Sequence, residues 1–277
     1  MACTSKRPMK SNCGCTDCTC ASKIPKREHP LCENGAVMRF RQYLRIMTAH
    51  PKPQYEQCVE FLKQQAKELD LEFKLVDLMG KPIVVLSLNG LYSYLPSILL
   101  MSHMDVVPAV PETWTYDPFG AVMTEQGLIY GRGSQGMKLH GIQYLEAVRK
   151  FKCEGKKLKR NVHLLFLPDS EIGGDKGMKV FVNSSQFKEL NVGFALDKGM
   201  PSTSNQYLIG YNERALWQIL IQCTGTSGDA GLLPNNIATE RVFFLLRRML
   251  AYRENGRNQI KNDNLDSGRY FKQRYSI

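Results

Sequence analysis

No stretch of this 277-residue chain approaches the run of about 20 apolar residues that a membrane span requires. The first 30 residues also lack the apolar block of a secretory signal. The expectation is a soluble, cytoplasmic protein with no membrane partner. After the N-terminal cysteines there is no second CxxC pair and no His pair at finger spacing, which makes a zinc finger a poor reading. The order GxxxxGK[ST] is missing too, so the glycine-rich loop described below is not a phosphate loop. Positive charge is scarce outside three blocks. Of the net +11, residues 1–30 carry +4, residues 149–160 carry +6 and residues 241–277 carry +6, leaving the remainder at −5. A mildly acidic body with local basic blocks argues against a specific nucleic-acid partner, although such blocks attract phosphates non-specifically.

Six of the nine cysteines fall within the first 32 residues, and Cys13, Cys15, Cys18 and Cys20 put four thiols into eight positions. Spacings of one and two residues let thiolates share a soft ion such as zinc or copper(I). The plainer alternative is a disordered Cys/Lys-rich leader over 1–34. Cys58, Cys153 and Cys223 are scattered, as expected of small buried hydrophobes in a reducing compartment.

Apolar spacing predicts helices over 35–50 and 54–69, the second burying Cys58, Phe61, Leu62, Ala66 and Leu69. Strands are predicted over 72–78, 83–88 and 97–102, then a hairpin turning at Glu125-Gln126-Gly127. A helix over 137–151 follows the glycine-rich loop Gly131-Arg132-Gly133-Ser134-Gln135-Gly136. Further strands are predicted over 162–167, 192–196, 207–211 and 215–223, with helices over 178–187 and 239–253. The later helix places Val242, Phe243, Leu245, Leu246 and Met249 at core spacing. The fold class is therefore α/β, with helices packed on a mixed, mostly parallel sheet.

Three strands end in a group able to bind metal: His103, Glu171 and Asp197. In open α/β sheets the carboxyl edge of the strands opens into a crevice, so three such endings point to a metal site there.

The motifs Ser102-His103-Met104-Asp105-Val106-Val107-Pro108, Asp117-Pro118-Phe119, Gly131-Arg132-Gly133-Ser134-Gln135-Gly136-Met137-Lys138, Pro168-Asp169-Ser170-Glu171-Ile172-Gly173-Gly174 and Leu196-Asp197-Lys198-Gly199 occur in order, with Trp114 between the first two. Together they resemble the zinc aminoacylases, cytosolic N-acyl-amino-acid amidohydrolases. The resemblance runs from about Ala36 to Phe244 and implies the first half of a zinc-exopeptidase-like catalytic domain over 35–210. The start of an α+β lid or dimerisation domain would occupy 211–277.

The resemblance implies two zinc ions, with His103 and Asp197 on the first, Glu171 on the second, and Asp105 orienting the His103 ring. The bridging aspartate of that pattern falls at Gly136, which has no side chain. Its general base falls at Ser170, whose hydroxyl cannot take a proton near pH 7 as a carboxylate can. The lid histidine that reaches a neighbouring subunit's substrate falls at Asp229. His140, four residues beyond Gly136, could stand in as a ligand, but such a histidine is more often a surface or core residue. The chain stops at Ile277, so the returning half of the catalytic domain, with its last histidine ligand, is expected to be missing.

A catalytic zinc takes three protein ligands, and neither position keeps them. Zinc binding is therefore expected to be weak, partial or absent. The expected function is that of an aminoacylase-like protein whose hydrolysis of N-acyl-L-amino acids is impaired or lost. One alternative is an active or weakly active aminoacylase or peptidase that takes an N-acyl amino acid. Another is a non-catalytic partner of a full-length paralogue, the expected assembly being either a homodimer or a heterodimer with that paralogue.

Overall fold

The computed structural model describes residues 34–199, 209 and 218–262. The N-terminal thiol cluster and the strand expected over 207–211 lie outside the described residues, Ile209 excepted. Two compact units are present, Met1–Lys198 and Gly199–Ile277.

In the first unit, α1 (Gly35–Arg45) and α2 (Tyr55–Glu68) lead into β1 (Glu72–Asp77), β2 (Pro82–Leu88) and β3 (Ser97–His103). After the short hairpin β4 (Val122–Met123) and β5 (Ile129–Tyr130) come α3 (Met137–Cys153) and β6 (Val162–Leu167). The short helices α4 (Met178–Phe181) and α5 (Ser185–Glu189) precede β7 (Val192–Leu196). The sheet order is β1-β2-β6-β3-β7. β2 is antiparallel to both β1 and β6, while β3 runs parallel to β6 and to β7. Four of the five strands therefore point one way, as a mostly parallel sheet requires. β6 is buried along its whole length.

Period-two alternation divides the core between the two faces of the sheet. Val84, Leu86, Leu164 and Phe166 pack with α1, α2 and α3. Ile83, Val85, Leu165 and Leu167 pack with Phe181 and Leu190 on the other side. α3 lies close on the sheet because Gly141 has no side chain. A Cβ there would come within 2.7 Å of Phe166 and 2.9 Å of the Ser102 hydroxyl.

Much of the basic block at 149–160 holds the fold together. Arg149 donates to Gln65 and Glu68, Arg160 to the Pro96 carbonyl, and Lys152 to the carbonyls of Leu69 and Asp70 at the end of α2. Cationic groups suit a helix C-terminus, where carbonyls lack partners. Of the scattered cysteines, Cys58 is fully buried as expected. Cys153 departs from that expectation: half-buried at the end of α3, it is held in a disulfide.

His163 on β6 is buried and within 2.8 Å of the Ser87 hydroxyl. Burial holds its ring below the ordinary value, against an upward pull from the Leu190 backbone and Glu72. In the unfolded chain the ring takes a proton near its ordinary 6.5, whereas in the folded protein it stays neutral to lower pH. Its burial thus costs stability as pH falls below that point. The urea midpoint is expected to fall less between pH 7 and pH 5 in His163→Asn than in the native protein. Equal falls would show that His163 does not contribute.

In the second unit, a 3₁₀ turn (Ala230–Leu232) precedes α6 (Ala238–Asn262). Residues 218–223 carry no strand, and no partner strand pairs with them among the described residues. The helix expected over 239–253 is present and longer, but Val242, Phe243, Leu246 and Met249 are exposed. Only Leu245 of that set is half-buried. The spacing correctly gave a helix with an apolar face, but little of the described unit covers that face.

Candidate functional site

β3 and β6 run parallel with His103 opposite Leu167, so the loops leaving them start side by side. The Met104 N–H donates to the Leu167 carbonyl at 2.7 Å, carrying that pairing one residue past the strand. Asp105 then meets the 3₁₀ turn Ser170–Ile172. His103, Asp105, Ser170 and Glu171 are thus brought together at the carboxyl edge of the sheet, where a crevice is expected.

Asp105 is fully buried and is the hub of this edge. His103 Nδ1 lies 3.1 Å from its Oδ1 and 2.9 Å from its backbone oxygen. His50 Nε2 lies 2.8 Å from Oδ2. The backbone N–H of Ser170 donates to Oδ1 at 3.2 Å, and that of Glu171 to Oδ2 at 3.0 Å. Burial by itself would raise the carboxyl. The bonds from His103, His50 and the Glu171 N–H outweigh it and hold Asp105 below its ordinary value. The carboxylate thereby ties three segments together and fixes the His103 ring. The other ring nitrogen, Nε2, faces Glu171 Oε1 at 3.7 Å, too far for a hydrogen bond.

His50 was not expected here, because periodicity carried α1 on to it. The helix instead ends at Arg45. Residues 48–50 pair beside β3's extension, with the Thr48 hydroxyl donating to the Met104 carbonyl and the His50 N–H to that of Val106. Tertiary pairing 55 residues away decides this, and the only local signal is the Pro51 that follows. Lys138 was also missed. Fully buried in the first turn of α3, it donates to the carbonyls of Tyr43 (3.1 Å) and Ile46 (2.7 Å) at the end of α1. Burial pulls its ammonium down to about 8.

Gly136 is the N-cap of α3 in extended backbone, and nothing lies closer than 3.5 Å to where a Cβ would stand. His140 Nδ1 lies 3.2 Å from the Gly136 carbonyl. Asp197 follows β7, whose last residue pairs with Leu100, and its carboxylate accepts the Lys198 N–H at 2.7 Å. In the second unit, Asp229 accepts the Gly231 N–H at 2.8 Å and so caps its 3₁₀ turn. Among the described residues, no three His, Cys, Asp or Glu side chains converge on a point where a metal ion could sit. His103 and Glu171 approach as a pair, and a catalytic zinc takes three such ligands.

Residues 99–243, just over half of the chain, match peptidase family M20/M25/M40. The chain belongs to that family. This M20 chain is 42% identical to aminoacylase-1 of Mus musculus over 249 residues, which are 89% of the chain and 60% of the mouse protein. Against aminoacylase-1 of Dictyostelium discoideum the identity is 43% over 223 residues, covering 80% and 55%. The M20 chain thus spans about 60% of the length of the curated relatives it matches. Among solved structures, human carnosine dipeptidase 1 is 19% identical with a TM-score of 0.50, covering 58% of this chain and 37% of its own. The M20 metallo-carboxypeptidase Sso-CP2 of Sulfolobus solfataricus is 22% identical, also at 0.50, with coverage of 56% and 35%. These two structures share the fold of helices on a mixed sheet. No helix of the described residues is long and apolar enough to cross a membrane.

Proposed function

We propose that the chain is an aminoacylase-like protein in which the hydrolysis of N-acyl-L-amino acids to a carboxylate and a free amino acid is impaired or lost. The identity to aminoacylase-1 supports the substrate class. The observation that carries the impairment is the bare backbone at Gly136, where the resemblance calls for a carboxylate shared by two metal ions. Ser170 adds to it, since it is exposed and contributes its backbone N–H to Asp105 where a general base is called for. Losing a general base alone commonly costs about 10²- to 10⁴-fold in rate. His103, Asp105, Glu171 and Asp197 are the remaining positions of the family site.

Purified protein with N-acetyl-L-methionine and added zinc is expected to show no turnover above background. Turnover that a chelator abolishes would overturn the impairment and favour a working hydrolase. A second reading, a non-catalytic partner for a full-length paralogue, draws support from α6. Its Phe243, Phe244 and Leu250 are all more than 60% exposed, an apolar surface suited to a protein partner. Size-exclusion chromatography of the two proteins mixed tests it, with co-elution expected if the reading holds.

A further inference from the structure

Arg149, Lys152 and Arg160 of the basic block at 149–160 are taken up by acceptors within the fold. Lys156, Lys157 and Lys159 stay exposed. Lys156 pairs with Glu154 at 2.6 Å, and Lys157 and Lys159 make no ion pair among the described residues.

The loop 89–96, between β2 and β3, is fastened alongside these lysines. The backbone N–H groups of Leu91 and Tyr92 donate to the carbonyls of Leu158 and Lys159, each at 2.9 Å, and that of Gly90 to the Asn161 side chain at 2.9 Å. A Cβ on Gly90 would fall 2.4 Å from the Arg160 backbone, so the two segments pack main chain against main chain. The loop is held, yet it turns its apolar side chains outward: Leu91 is 59%, Tyr92 46% and Tyr94 76% exposed. Scattered single apolar residues on a surface are ordinary, but three on one short fixed loop, rimmed by cations, mark an interaction site. Both segments lead into the amino ends of β3 and β6, at the end of the sheet opposite His103 and Asp105.

We propose that the 89–96 loop and the lysines at 156–159 form a docking surface for an anionic lipid bilayer. Phenol rings suit the headgroup zone, with the body of the ring in apolar surroundings and the hydroxyl in water, and Leu91 reaches the acyl boundary beside them. Lysines at the rim attract anionic headgroups while their stems lie along apolar surface. A nucleic-acid strand fits less well. The Tyr92 and Tyr94 rings lie against each other, with centroids 6.0 Å apart, rather than standing open for bases, and Arg160 is tied to the Pro96 carbonyl. The lack of a spanning helix among the described residues bears on crossing a membrane, not on a surface that rests on one. A bilayer seated here leaves the His103 edge facing away from it.

Flotation of the full chain with vesicles of equal parts phosphatidylcholine and phosphatidylserine, against vesicles of phosphatidylcholine alone, tests the proposal. Binding is expected to the first and not to the second, and it is expected to fall as salt is raised. Lys157→Gln with Lys159→Gln is expected to weaken it at least about ten-fold, since one lysine near an anionic surface is worth about five-fold. Leu91→Ser with Tyr94→Ser is expected to weaken it at least about ten-fold through lost apolar contact. Arg247→Gln with Arg248→Gln, in another basic block, is expected to leave it unchanged. No binding by the native chain, equal binding to both vesicles, or binding that survives in either patch variant overturns the proposal. An equal loss in the arginine variant also overturns it, by showing that positive charge anywhere on the chain suffices. Tighter binding of an oligouridylate, lost in the same two patch variants, overturns it in favour of nucleic acid. Should a patch variant fail to fold, hydrogen exchange of the native chain still decides: the mixed vesicles are expected to slow exchange across residues 89–96, and unchanged exchange overturns the proposal.

Discussion

Asp105→Ala is expected to lower the stability of the protein by about 3–5 kcal/mol, read from urea unfolding at pH 7. The substitution removes the acceptor for His50 Nε2, for the backbone N–H groups of Ser170 and Glu171, and for one bond to His103. Those donors lie at an edge where Asp105 itself is fully buried, so few of them can turn to water. Asp105→Asn keeps one acceptor oxygen and is expected to cost less. The loss is expected to be the same with zinc and with a chelator, because the four bonds are made by protein groups. A loss below about 1 kcal/mol would mean that water replaces the carboxylate and that the hub is not structural.

The double variant Gly136→Asp with Ser170→Glu is expected to bind zinc at least about 100-fold more tightly than the native chain. Even a residue that only orients a ligand is typically worth 10- to 100-fold, and a direct ligand more. Hydrolysis of N-acetyl-L-methionine is expected to rise by about 10²- to 10⁴-fold with the restored base. The substitutions are sterically open. The Cβ of the new aspartate would meet only the Gly133 backbone at ordinary contact distance, and Ser170 is exposed. Calorimetry with zinc and a zinc-dependent hydrolysis assay read the two effects separately. Unchanged zinc affinity would show that these two positions are not the defect.

The sheet was the most legible part of the chain. β6 and β7 have the expected bounds because their apolar runs are closed by Pro168 and Asp197, and such short runs between breakers leave little freedom. The helices were read less well wherever a side chain could offer the backbone an alternative. The helix expected over 178–187 divides because Ser184 accepts the Phe187 N–H and donates to the Phe181 carbonyl, ending one turn and capping the next. α6 runs nine residues past its expected end, through a polar stretch with no apolar stripe, where Glu254 and Arg257 form an i,i+3 pair. At the site, His103, Asp105 and Glu171 announced themselves as polar groups at strand ends. His50 and Lys138 did not, since their roles depend on partners far away in sequence.

Lys138 and Lys152 stand 14 residues apart on α3 and bind the last carbonyls of α1 and α2 respectively. At 1.5 Å per residue that spacing is about 21 Å, so α3 serves as a gauge that sets where both neighbouring helices stop. One inserted residue between the two lysines would turn the second about 100° away from its carbonyls, and one deleted residue would turn it as far the other way. The layer over the sheet is thus far less tolerant of a change in the length of α3 than of a change in the identity of its exposed side chains.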